Sequence, residues 1–183
     1  MKKNLLLVAL LSAIAAPAFA ADNGVYVVGS VGSTSNVSST ASGTSFSGLL
    51  GYQLDKNWGA EAGYVSLLNG ATVDTGTAGV TGKATLSGTE VAGIYTFPVS
   101  QQFSVIARLG YASMTAKADA SGLGFSQSTS ATLSGATYGL GVQYNLNAQV
   151  GIRAGLNGYN LKDSSGATGE TPNNVYVAAA YKF

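Results

Sequence analysis

The sequence contains no histidine and no cysteine. An uncharged hydroxyl or a water needs a base working near neutral pH before it can attack, and histidine is the usual one. The many serines therefore have no evident partner for acyl transfer, and the expectation is that the chain is not an enzyme. Metal binding through His or Cys is excluded, and no cofactor is implied. Asp74, Asp119, Asp163 and Glu170 offer oxygen ligands, but they are scattered without the dense spacing of a Ca²⁺ loop. The glycines show no phosphate-binding pattern between a strand and a helix. What remains is a set of four charges lying among apolar residues: Glu61, Glu90, Arg108 and Arg153. Their chemistry is ion pairing, and the question is what holds them together.

The N-terminus bears on that. MKKNLLLVALLSAIAAPAFA carries Lys2 and Lys3, an apolar run from Leu5 to Ala16, and the small-residue site Ala18-Phe19-Ala20. That order is a secretory signal peptide, with cleavage expected between Ala20 and Ala21. Residues 1–20 are thus read as the signal and 21–183 as one domain. Without Lys2 and Lys3, seven basic residues face eight acidic ones, a net charge of −1. No basic patch points to nucleic acid. Charged residues make up 9% of the chain, where soluble domains carry about 25%. Yet after the signal no segment is apolar enough for a membrane helix.

The mature sequence alternates instead. Segments of roughly ten residues with a period of two recur, as in a transmembrane β-barrel whose strands need about 9–11 residues. Eight are expected: Gly24–Ser33, Ser45–Leu54, Trp58–Leu67, Thr85–Phe97, Phe103–Thr115, Thr129–Leu146, Ala148–Leu161 and Asn174–Phe183. Short turns fall at Asp55–Asn57, Pro98–Gln102 and Asn145–Asn147. Longer polar breaks fall at about Thr34–Thr44, Leu68–Ala84, Ala116–Ser128 and Lys162–Asn173. Strict alternation of short and long connections is what periplasmic turns and outer loops produce. The fold class is all-β, an eight-stranded antiparallel up-and-down transmembrane β-barrel.

The charges set the phase. A charge facing lipid near the midplane costs about 2–4 kcal/mol, so Glu61, Glu90, Arg108 and Arg153 should point into the barrel. This turns Trp58, Ala60, Ala62 and Tyr64 outward in the third segment, and Val91, Gly93, Tyr95 and Phe97 in the fourth. Phe103, Val105, Leu109 and Tyr111 turn outward in the fifth, and Val150, Ile152 and Leu156 in the seventh. Four charges agreeing with four apolar faces argues against a soluble barrel, which would place large apolar residues inside. Trp58, Phe97, Phe103 and Tyr144 then lie beside the short turns, and Tyr64, Tyr111 and Tyr138 toward the long breaks. Two such girdles are expected where an apolar band meets headgroups. In the first segment either phase is open, with Val25, Val27 and Val31 outward the better fit. In the last, Val175, Val177, Ala179, Tyr181 and Phe183 share the lipid face.

GYQLDKNWGAEAGY (Gly51–Tyr64) and FPVSQQFSVIARLGY (Phe97–Tyr111) resemble hairpins of the transmembrane domain of the outer membrane protein A family. GVQYNLNAQVGIRAGL (Gly141–Leu156) and YVAAAYKF (Tyr176–Phe183) resemble its last three strands. Related small barrels, outer membrane protein X and the opacity-type and surface protein A adhesins, resemble the chain almost as closely. The resemblance implies that Glu61, Arg108 and Arg153 belong to an ion-pair network closing the lumen, with Glu90 an addition facing Arg108. Ile94 and Gln143 stand where the family has a lysine and an acid, so a gate copied from the family is in doubt. Tyr181 and Phe183 match the C-terminal signal read by the barrel assembly machinery. The resemblance places the chain in a bacterial outer membrane among lipids and lipopolysaccharide, as a monomer with a structural and loop-display role. Alternatives are a narrow pore for small solutes or ions, or an adhesin contacting host or phage through its loops. No peptidoglycan-binding domain is expected after the last strand.

Overall fold

The computed structural model describes residues 23–37, 41–74, 80–122, 125–166 and 169–183. Eight strands form the wall: β1 Gly24–Val37, β2 Ala41–Gln53, β3 Trp58–Asp74, β4 Val80–Pro98, β5 Phe103–Gly122, β6 Phe125–Asn145, β7 Val150–Lys162 and β8 Asn173–Lys182. Each pairs antiparallel with its chain neighbour, and β8 pairs back onto β1 from Tyr26↔Lys182 to Ser35↔Asn173. Closure removes the sheet edge that a lipid phase could not hydrogen-bond. A two-residue piece, Gly169–Glu170, returns to Leu161 and Lys162 of β7 before β8 begins.

The three short turns share one device. The side-chain oxygens of Asp55, Ser100 and Asn147 each accept from the backbone N–H groups two and three residues on. These are the turn residues whose side chains mimic a backbone acceptor. The same residues that end the strands thus fold the chain back in register.

At the opposite end the structure corrects the expectation of long loops. Thr34–Val37, Leu68–Asp74, Ala116–Gly122 and Phe125–Ser128 are strand, and β4, β5 and β6 run to 19, 20 and 21 residues. Residues 38–40, 75–79 and 123–124 lie outside the described residues. Serine, threonine and alanine read as loop by composition, but here they keep a period of two. On β5 the outward positions are Ser, Thr, Lys or Asp and the inward ones are apolar or small, as with Met114, Ala116 and Ala118 against Ser113, Thr115 and Lys117. Below Tyr111 the polarity is reversed: Leu109 is 70% exposed while Glu61 and Glu90 are 3% and 4% exposed.

The interior also differs from the expectation that large apolar residues lie outside. Leu67, Leu68, Leu86, Met114, Leu133 and Leu161 form a fully buried apolar layer on the extended side of the charges. Two successive leucines can face inward because the β3–β4 register shifts between Ser66 and Ala71. On the turn side, Ala92, Ile94 and Ile106 make a second, smaller cluster. The charges thus have a full apolar layer on the extended side and only a partial one on the turn side.

Candidate functional site

Glu61 (β3), Glu90 (β4), Arg108 (β5) and Arg153 (β7) converge in the bore. Arg153 Nη1 donates to Glu61 Oε1 at 2.5 Å, and its Nε donates to Gln143 Oε1 at 2.5 Å. Its guanidinium also lies 5.2 Å from the centre of the Tyr26 ring. Arg108 Nη2 donates to Glu90 Oε1 at 2.7 Å and stands 3.8 Å from Glu61 Oε2. The two carboxylates are completed by hydroxyls. Tyr26 donates to Glu61 Oε1 at 3.0 Å, and Thr137 and Tyr159 donate to Glu90 at 3.1 Å each. Glu61, Glu90, Arg153, Tyr26, Thr137 and Tyr159 are buried and the Arg108 side chain is 9% exposed, so the pairs act in a low dielectric where losing one partner is costly.

Glycines make the convergence possible. Tyr26, Gly51 and Glu61 are consecutive partners across β1, β2 and β3. A Cβ on Gly51 would stand 2.2 Å from the Tyr26 ring, so the ring lies over the glycine and carries its hydroxyl to the next strand. Arg108, Gly139 and Asn157 repeat the arrangement across β5, β6 and β7. A Cβ on Gly139 would meet Asn157 Oδ1 at 2.2 Å and Arg108 Cγ at 2.9 Å. Arg108 Nε and Asn157 Oδ1 have no protein partner, and both groups line a cavity of about 20 Å³. That is room for one water.

Sequence reasoning missed Tyr26, Thr137 and Tyr159. A buried tyrosine hydroxyl needs a partner, which was a usable signal once the phase of β1 was set. The structure sets it, with Val25 and Val31 outward and Tyr26 and Val28 inward. Gln143, which stands where the resemblance expected an acid, is the second acceptor of Arg153 and donates to Asn145 Oδ1 at 2.6 Å. Ile94 packs with Ala92 and Ile106. On the turn side the bore opens into a vestibule of about 630 Å³ that ends at Arg153 and is lined by Gln53, Gln102, Gln143, Asn145 and Gln149.

The aromatic residues lie on the outside, apart from this cluster. Trp58, Phe97, Phe103 and Tyr144 are exposed near the turn end; Tyr64, Tyr111 and Tyr138 are exposed where the outward face changes to Ser and Thr. Trp58 packs edge-on against Tyr95 at 4.8 Å, and Phe46 lies 6.4 Å from Tyr64. Tyr181 and Phe183 meet edge to face at 5.1 Å, and the Phe183 N–H donates to the Val25 carbonyl at 3.0 Å. Ala20 and Ala21 lie outside the described residues. Asp119 faces out opposite Lys83, and Asp163 accepts from Ser165. Among the described residues, no three His, Cys, Asp or Glu side chains gather as a metal group.

In the turn at Asp55, N–H groups of Trp58 and Asn57 hold the carboxyl below its ordinary value of 3.8.

A closed antiparallel barrel with an apolar belt outside and paired charges within is the architecture of a bacterial outer-membrane protein. The chain belongs to the outer membrane protein beta-barrel domain family, whose model matches residues 6–183. It is similar in fold to solved outer-membrane barrels. The attachment invasion locus protein Ail of Yersinia pestis is 17% identical with a TM-score of 0.57, covering 89% of this chain and 99% of that one. Neisserial surface protein A is 16% identical at 0.58, covering 89% and 98%. A major outer membrane protein from Thermus thermophilus is 13% identical at 0.63, covering 86% and 99%. A search of curated proteins returned no match. The protein is an outer-membrane β-barrel located in the bacterial outer membrane.

Proposed function

We propose that this barrel is a closed, structural element of the envelope that carries a projecting β-sheet on the cell surface. The observation that carries this reading is the stacking of buried ion pairs beneath an apolar layer in the bore. The ion pairs of Glu61, Glu90, Arg108 and Arg153 span the bore directly beneath the layer of Leu86, Met114 and Leu133, and the turn-side vestibule stops at Arg153. An eight-stranded barrel is just wide enough for side chains to fill. The short turns, the start of β1 and the end of β8 face the periplasm in this reading, and the extended strands face outward. The role needs no catalysis and no cofactor.

Assembly follows the same logic. Residues 1–20 direct export and are removed before Ala21, which mass spectrometry of the exported chain reads directly. Tyr181 and Phe183 present the C-terminal signal to the barrel assembly machinery, and the mature barrel sits as a monomer among lipids and lipopolysaccharide. Purified protein in a planar bilayer tests the closed bore: the expected trace is flat. Steady single-channel openings of the unmodified protein would instead make it a narrow pore.

A second reading is favoured by the height of β4–β6: the projecting strands contact host or phage surfaces. Shortening β5 and β6 by equal numbers of paired residues above Thr115 and Thr132 would abolish cell binding if so.

A further inference from the structure

The turn-side vestibule has a polarity as well as a volume. Arg153 forms its floor, with a side chain only 9% exposed. Nε of that guanidinium is held by Gln143 and Nη1 by Glu61, while Nη2 donates to no described residue. A relay of amides starts from the arginine. Arg153 Nε donates to Gln143 Oε1, and Gln143 Nε2 donates on to Asn145 Oδ1. Both amides therefore point the same way, oxygen toward the arginine and nitrogen away from it. Each bond polarises the next, and the guanidinium charge strengthens the series. The relay ends on Asn145 Nδ2, a polarised donor that meets no described acceptor.

The walls supply little that competes for these donors. Lys56, Arg153 and Lys182 line the vestibule, and no acidic side chain does. Asp55, beside Lys56, directs its carboxylate to the N–H groups of Asn57 and Trp58. Asn147 gives its oxygen to the N–H groups of Gln149 and Val150, which leaves its amide nitrogen as a further donor. Gln53 is reversed: its Nε2 is taken by the carbonyls of Asp55 and Trp58. Glu61 balances the charge of Arg153 from the other side, so the floor offers oriented donors more than net charge. Donors converging in a concave space of about 630 Å³ are the makings of a small-molecule site.

We propose that the turn-side vestibule binds a small oxyanion, a carboxylate or a phosphate, whose oxygens accept from Arg153 Nη2 and Asn145 Nδ2. That the site is a blind cup, rather than a stage in a pore, rests on the closed bore given under Proposed function. The test titrates the full barrel in nanodiscs with sodium phosphate, and separately with sodium acetate, at an ionic strength held constant with sodium chloride. The readout is the nitrogen–proton spectrum of the side chains. Saturable shifts of the Arg153 Nε–H and the Asn145 side-chain amide are expected with one or both anions, and the anion that saturates assigns the class. The Asn174 amide, bound to Ser33, Thr34 and Ser45 away from the vestibule, should stay still and reports that the fold is intact. Asn145→Asp keeps the acceptor for Gln143 but replaces the terminal donor by a negative charge. It is expected to weaken oxyanion binding about tenfold with the Asn174 signal unmoved. No saturable shift with either anion, shifts that chloride alone reproduces, or unchanged affinity in Asn145→Asp overturns the proposal. Single-channel openings of the unmodified protein would refute the closed bore, whereas a flat trace without anion-dependent shifts refutes only the binding.

Discussion

The hydroxyl of Tyr26 reaches Glu61 by crossing Gly51, so three neighbouring strands contribute ring, gap and acceptor to one contact. Two substitutions separate the gap from the hydrogen bond. Tyr26→Phe removes the donor alone and should cost about 1–3 kcal/mol. Gly51→Val places a branched side chain where the ring lies and should cost more, because the ring must leave and Glu61 loses its cover. Denaturant unfolding in vesicles measures both. A Gly51→Val barrel as stable as the unmodified one would mean that the ring does not occupy this gap.

Glu90 is bound by Arg108, Thr137 and Tyr159 at once. Arg108→Met leaves its carboxylate buried with hydroxyls alone, at an expected cost of about 3–5 kcal/mol. Glu90→Gln added to Arg108→Met removes the stranded charge while keeping an acceptor for the hydroxyls. The pair of changes should recover most of the loss. A double-mutant cycle showing simple additivity would deny the coupling.

Glu61 serves both arginines, so Glu61→Ala should lower the unfolding temperature clearly. It should not by itself open the bore, because Leu86, Met114 and Leu133 still fill the layer above. Conductance is expected only when Glu61→Ala is combined with Leu86→Ser and Leu133→Ser. Full openings in the single Glu61→Ala variant would show that the apolar layer is no barrier.

Asp55 gives a pH dependence whose sign can be worked out. Its folded carboxyl titrates below the ordinary 3.8 because the Trp58 and Asn57 N–H groups favour the charged form. The turn is therefore supported above that value and loses the support as pH falls through the lower folded value. Carboxyl-carbon chemical shifts should show a midpoint under 3.8 for Asp55. Asp55→Ala should remove the acid response of the Trp58 amide. A midpoint at or above the ordinary value would contradict the turn geometry.

Removing Phe183 tests assembly apart from folding. The residue contributes one edge contact to Tyr181 and one backbone bond to Val25, both at the rim. Refolding of the purified deletion variant into detergent should change little, while its level in the outer membrane of cells should drop several-fold. Equal levels in cells would dismiss Tyr181 and Phe183 as an assembly signal.

Much of the wall was legible from residue order. Period two and the phase set by Glu61, Glu90, Arg108 and Arg153 placed Leu109, Ile152 and Leu156 on the outside, where they are. The extensions were not legible, because Ser-Thr-Ala stretches look like loop when only the outward apolar signal is sought. In Ala112–Gly122 the alternation persists with its faces exchanged, since above the belt water replaces lipid outside and side-chain packing replaces water inside.

Residue order alone determined the number of strands, their neighbours and, for most of them, which side meets lipid, because these depend on alternation and on the cost of placing a charge in hydrocarbon. Only the tertiary structure decided that Tyr26, Thr137, Gln143 and Tyr159 complete the ion pairs and that leucines cap them. Those contacts join residues far apart in the chain, Glu61 and Arg153 among them at 92 positions. They depend on barrel closure and on glycine gaps such as Gly51 and Gly139, whose effect appears only when neighbouring strands are brought into register.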